Sequence, residues 1–166
     1  MNDVQDNPLP KHLDPGSPEF DLFQSPFYLI AHADFKFHED LDKAIEKFGV
    51  DRTSYRLMTI LRRRSPLNIK ELATMAMLKR STTSRALERM HKEGWISQSS
   101  NANDNRITDV ILSPAGLELA ERVMRLGSRQ LQRAVFGLNE EQLEELVFLL
   151  KKLVSNLTRL SIEDAS

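Results

Sequence analysis

Residues 69–76 and 80–92 each carry one short apolar stripe, and only Met77, Leu78 and Lys79 separate them. The first stripe opens on Asn68 and Glu71, a capping-box pair in which each side chain can satisfy the other's free backbone N–H. Ile69, Leu72, Ala73 and Ala76 then recur at helical steps. The second opens polar and basic, Arg80-Ser81-Thr82-Thr83-Ser84-Arg85, is anchored by Ala86, Leu87 and Met90, and closes at Gly94. Two short helices about a tight turn, the second with a polar leading end, form a helix-turn-helix pattern. Taken alone, the same pattern also fits an ordinary pair of core helices.

The residues that follow decide between those readings. Trp95 and Ile96 open a strand and Ile107 to Leu112 form another. The stretch from Ser99 to Asn105 between them is rich in turn formers and holds nothing apolar larger than alanine. This is a hairpin with a polar tip, a wing. Ser113-Pro114 then starts a long helix, serine as cap and proline at the first helical position, running to about Phe136. The last helix begins with a capping box (Asn139, Gln142) and a hydrophobic staple (Leu138, Leu143), and its stripe runs from Leu143 to Leu160.

Upstream, four prolines and little periodicity mark residues 1–24 as a mobile arm. Phe27, Ile30, Phe37, Leu41, Ala44, Ile45 and Phe48 mark a first helix ended by Gly49. A second helix runs from about Thr53 to Arg64, where Ser65-Pro66 stops it. The expected organisation is an arm at 1–24, a dimerisation helix at 25–50, a winged helix-turn-helix lobe at 51–112, and helices completing the dimerisation region at 113–161. The fold class is mainly α with a small β-hairpin wing. So much helical apolar surface at both ends of a compact lobe calls for a symmetric partner, hence a homodimer.

Charge supports a nucleic-acid role once it is mapped. The net charge is -1, yet Arg52 to Arg106 holds twelve Lys/Arg against four Asp/Glu, and the rest holds eleven against twenty. A basic middle between acidic ends is the footprint of a DNA site on a nearly neutral protein.

Other classes are disfavoured. There is no cysteine, which excludes thiolate metal sites, cysteine nucleophiles and thiol redox sensing. His12, His32, His38 and His91 do not cluster at ligand spacing, so no metal or other cofactor is expected. No Gly-rich phosphate loop or Ser-His-Asp set argues for an enzyme. No apolar run is long enough to span a bilayer and no signal pattern opens the chain, so a cytoplasmic protein without a membrane partner is expected. A helical protein-interaction module without specific DNA binding is the alternative, one that leaves the basic middle and polar wing without a purpose.

In order, Thr53-Ser54-Tyr55-Arg56, Ile69-Lys70-Glu71-Leu72-Ala73, Arg80-Ser81-Thr82-Thr83-Ser84-Arg85, Glu93-Gly94-Trp95-Ile96, Asp104-Asn105-Arg106 and Leu112-Ser113-Pro114-Ala115-Gly116 resemble the MarR family of transcriptional regulators. The resemblance implies a ligand-responsive homodimer on double-stranded, pseudo-palindromic operator DNA, more often a repressor. Ser81, Thr82, Ser84 and Arg85 match the major-groove face of the recognition helix, with Arg80 in the same leading turn. Arg106 matches the wing arginine that enters the minor groove and Asp104 the acid that orients it. Two positions depart from the family pattern. Lys79 stands where a capping acid or serine is common, which predicts a slightly later helix start, and Thr83 stands where an apolar residue is common.

With thiols and clustered metal ligands absent, the resemblance leaves a small organic effector, such as an aromatic or phenolic carboxylate. By position, His32, Phe35, Tyr55 and Arg56 are candidates to line its pocket, aromatic walls with polar anchors.

Overall fold

The computed structural model describes residues 8–100 and 108–159. Six α-helices and three strands follow in order: α1 (Pro26–Glu46), α2 (Arg52–Arg63), β1 (Leu67–Asn68), α3 (Ile69–Ala76), α4 (Arg80–Lys92), β2 (Ile96–Ser100), β3 (Thr108–Leu112), α5 (Pro114–Ala134) and α6 (Glu140–Arg159). The chain divides into two compact units, Met1–Ser128 and Arg129–Ser166.

In the first unit the core forms where α2, α3 and α4 meet the sheet. Leu57, Met58 and Leu61 of α2, Leu72 and Ala76 of α3, and Leu87 and Met90 of α4 are each at most 3% exposed, as are Ile96 and Val110 of the sheet. Each large side chain buried this way contributes about 1.5–3 kcal/mol of transfer free energy. Leu41, Ile45 and Val50 bring the end of α1 into the same core, and Ala120 and Val123 bring in α5. The Arg122 guanidinium lies 4.9 Å from the Phe48 ring centroid, a cation–π contact that fastens α5 to the chain just after α1.

The sheet order is β1-β3-β2, with both pairings antiparallel. Ile96 faces Leu112 and Ser100 faces Thr108, as a wing hairpin requires. β1 is not apparent from the sequence. Its two residues are too short to show alternation, and Leu67 pairs with Val110, far along the chain. The tip 101–107 lies outside the described residues.

Several local expectations hold atom by atom. Asn68 Oδ1 accepts from Glu71 N and Glu71 Oε2 accepts from Asn68 N, both at 3.0 Å. Asn139 and Gln142 exchange the same two bonds at 2.9 Å. Ser113 Oγ accepts from Gly116 N at 3.0 Å and donates to Gly94 O at 2.6 Å, so the cap of α5 also ties down the end of α4. Gly94 itself has φ +71, a conformation that favours glycine.

The segment read as an arm carries structure of its own. Two 3-10 turns, Lys11–Leu13 and Leu22–Gln24, are joined where Asp21 N donates to His12 O at 2.9 Å. The Phe23 ring then meets Tyr28 of α1 edge-on at 5.4 Å. Side-chain turns by Asp14, Ser17 and Asp21 supply the local order that apolar periodicity does not reveal.

In the second unit, α6 has no buried residue; Phe148, Val154 and Leu157 are 63%, 64% and 66% exposed.

Candidate nucleic-acid interface

The turn between α3 and α4 is built on Met77, which adopts the left-handed region at φ 55 and donates its N–H to Ala73 O and Thr74 O. Leu78 N adds a bond to Ala73 O at 2.9 Å. The chain thus closes α3 within one residue and launches α4 at once. Lys79 is the N-cap of α4 without a side-chain cap, yet the helix starts at Arg80 and not later. The leading amides of α4 therefore lack a side-chain acceptor, and such a helix end suits an anion.

Burial fixes which face α4 shows. Thr83, Ala86, Leu87 and Met90 point inward. Arg80, Ser81, Thr82 and Arg85 are exposed together and Ser84 is half-buried beside them. Thr83 fits a position usually apolar because its hydroxyl donates to Lys79 O at 3.3 Å, leaving no buried polar atom unsatisfied. The structure therefore brings the candidate recognition residues onto the outer side of a core-anchored helix. Asp104 and Arg106 lie outside the described residues.

Arg89, one turn beyond Arg85, is engaged elsewhere. It pairs with the Asp51 carboxylate and donates to Ser54 Oγ at 3.0 Å. Asp51 is also the N-cap of α2, accepting from Ser54 N at 2.7 Å. Arg52 in turn holds Asp42 of α1, with Nε 3.0 Å from Oδ2, and this pairing raises the Arg52 pKa. A chain of charges thus runs from the end of α4 through the start of α2 to α1. Sequence reasoning missed it, though the cap itself (Asp51 three residues before Ser54) was readable.

The effector candidates are placed differently from one another. His32 and Phe35 are exposed on α1, and His32 stacks at a tilt on Tyr28, 5.8 Å between centroids. Tyr55 is half-buried and faces α5: a Cβ at Gly127 would lie 2.0 Å from its phenolic oxygen. Burial raises its pKa, against a smaller opposing effect from Thr59. Arg56 turns to α3 and donates from Nη1 to Ala76 O at 3.1 Å. Tyr55 and Arg56, adjacent in sequence, are thus not brought to one surface.

The sequence model of the MarR family matches residues 50–108. The HTH-type transcriptional repressor IacR of Pseudomonas putida is 30% identical over 149 residues, which is 90% of this chain and 89% of that protein. The chain belongs to the MarR family. A MarR-family transcriptional regulator from Silicibacter pomeroyi has the same fold, with a TM-score of 0.78 at 24% identity over 87% of this chain and 97% of that one. So does Bordetella bronchiseptica BpsR, whose DNA binding is regulated by 6-hydroxynicotinic acid, with a TM-score of 0.73 at 18% identity over 81% and 96%. As a MarR-family protein the chain is a DNA-binding transcriptional regulator and not an enzyme. No helix among the described residues is long and apolar enough to cross a membrane.

Proposed function

We propose that this MarR-family protein is a homodimeric repressor that binds a pseudo-palindromic operator and is modulated by a small aromatic acid. The observation that carries the DNA part is the exposed set Ser81, Thr82 and Arg85 on a helix whose opposite face is locked into the core. Short hydroxyl side chains let the backbone approach phosphates, and arginine offers a planar donor set for a guanine edge. Arg80 and Ser84 flank this face, while Arg106 enters the minor groove and Asp104 orients it. Repression is supported by the name of the Pseudomonas putida relative. The effector class is supported by BpsR and its aromatic acid, with His32, Phe35, Tyr55 and Arg56 as the positions first proposed for it. A regulator of operator DNA acts in the cytoplasm.

The dimer is supported by apolar surface without a partner on separate elements: Phe27, Ile30 and Phe35 on α1, and Phe148, Val154 and Leu157 on α6. Runs of this kind mark association surfaces.

Fluorescence anisotropy tests the DNA reading. Arg85→Ala costs roughly 1–3 kcal/mol on operator and much less on random duplex. Equal loss on both leaves Arg85 as a phosphate contact only. Sedimentation tests the dimer: wild type sediments at twice the 19.1 kDa chain mass, and Leu157→Asp shifts it toward monomer by burying an unpaired charge.

A further inference from the structure

We propose that Met77, in the turn between α3 and α4, is an apolar DNA-contact residue whose side chain packs on the rim of the major groove. This deepens the DNA reading above and rests on it. Among the described residues Met77 is the only one other than glycine with a positive φ, at 55. The other three such positions, at φ 74, 71 and 89, are Gly49, Gly94 and Gly137. Each of those glycines follows a helix end, and Met77 likewise closes α3. The left-handed region costs any residue with a Cβ free energy that glycine does not lose, which is why glycine dominates this position.

Packing within the fold does not offset that cost. Met77 is 81% exposed, so its side chain adds little to the core. The turn beneath it is nevertheless fixed. Ala76 before it is fully buried, and Leu78 after it packs against the core. Arg56 of α2 donates Nη1 to Ala76 O at 3.1 Å, and Met77 N bonds back to Ala73 O and Thr74 O. A long apolar side chain therefore stands outward on a backbone that its neighbours hold in place. Strain maintained in this way, with the side chain turned to solvent, indicates a role outside the molecule.

The surroundings identify the occupant. Lys79 and Arg80 follow at once and are exposed, and no Asp or Glu stands between Glu71 and Glu88. An apolar group set among cations and clear of acids fits a polyanion better than it fits an apolar protein surface. The helix that carries exposed Ser81, Thr82 and Arg85 begins three residues after Met77, so the turn meets the duplex together with that face. Those polar groups serve phosphates and base edges and leave the apolar parts of DNA, the thymine methyl and the deoxyribose face, without a partner. A flexible, polarisable thioether suits either of them. Glycine at this position would serve the fold, and methionine serves the complex.

The test is fluorescence anisotropy of the full chain on an operator duplex selected from a random-sequence pool, with thermal denaturation of the same proteins. Met77→Gly and Met77→Ala each weaken operator binding roughly tenfold, the size expected when an apolar side chain of this kind loses its burial. Met77→Leu keeps most of the affinity. Met77→Gly melts at or above the wild-type temperature because it relieves the left-handed strain, so its weaker binding does not come from unfolding. Replacing thymidine by deoxyuridine in the duplex names the contact. A loss confined to the thymidine duplex assigns the thymine methyl, and an equal loss on both assigns the deoxyribose face. Unchanged operator affinity in Met77→Gly and Met77→Ala overturns the proposal and leaves the DNA reading intact, whereas a wild type indifferent to selected and random duplex removes both. A loss in Met77→Leu as large as in Met77→Ala also overturns it, since an apolar contact tolerates leucine. If Met77→Gly instead lowers the sedimentation rate at unchanged affinity, Met77 belongs to an interface between copies and the proposal falls.

Discussion

Arg89 of the recognition helix pairs with Asp51, the residue that caps α2, so one carboxylate both starts a helix and holds the far end of another. The two side chains are about half exposed, 48% and 49%. At that exposure the pair stabilises by about 1 kcal/mol, since water screens the charges. Urea denaturation of Arg89→Ala, Asp51→Ala and the double variant gives a coupling energy of that size. Strictly additive losses show that the pairing contributes nothing. After correction for stability, Arg89→Ala retains the preference for operator over random DNA, because Arg89 is turned toward α2.

Two glycines on α5 carry a contrast that substitution can measure. A Cβ at Gly116 meets the Trp95 carbonyl oxygen at 1.8 Å, a backbone atom that cannot swing away. A Cβ at Gly127 meets the Tyr55 phenolic oxygen at 2.0 Å, whereas the ring carbon behind it is 3.2 Å away. Gly127→Ala therefore costs about 1–3 kcal/mol by overpacking, and adding Tyr55→Phe recovers part of it. Gly116→Ala costs more, and no single side-chain change relieves it. Thermal denaturation of the four proteins checks the order, and equal tolerance of both alanines contradicts it.

Tyr55 also makes stability depend on alkaline pH. Burial disfavours its phenolate, so its pKa in the folded chain lies above the ordinary 10.0. Once the pH passes that ordinary value, the unfolded chain loses the proton while the folded chain keeps it. Stability then falls as pH rises toward the folded value, and is complete below the unfolded one. Denaturation midpoints followed through the tyrosine range show this fall, and Tyr55→Phe flattens it. A slope unchanged in Tyr55→Phe assigns the effect to other groups.

The wing makes its own forecast, for two residues that should behave unlike each other. Arg106→Ala weakens operator binding strongly and Arg106→Lys restores only part, since lysine lacks the planar fork. Asp104 has the wrong sign for DNA, so plain electrostatics has Asp104→Ala tighten binding. If Asp104 orients Arg106, as proposed, its loss weakens specific binding instead. Anisotropy on operator and random duplex at two salt concentrations separates the cases. Tighter operator binding by Asp104→Ala, or no effect of Arg106→Ala, removes the wing from the recognition scheme.

Much of this was legible because it is local. A capping box needs residues three apart, so Asn68 with Glu71 and Asn139 with Gln142 could be read directly, and both formed. The inward and outward faces of α4 follow from helical periodicity, which placed Leu87 and Met90 in the core and Ser81, Thr82 and Arg85 outside. The wing hairpin, though not its register, followed from turn residues between two short strand runs, and β2 pairs with β3 antiparallel.

What depends on long-range packing was not legible. Arg56, Arg85 and Arg89 are alike as letters, yet the first is bonded to Ala76 O, the second is exposed, and the third is held by Asp51. Only the crossing of α2 with α3 and α4 assigns those partners. In the same way Gly116 and Gly127 read as weak helix residues, and only the approach of Trp95 and Tyr55 shows that a side chain has no room there. The sequence by itself determined the helices, the caps at Asn68, Ser113 and Asn139 and the polar face of the recognition helix, because each is set by neighbours within one or two turns. The tertiary structure decided which arginines are exposed and which hold helices together, because that depends on groups brought close by packing and not by spacing along the chain.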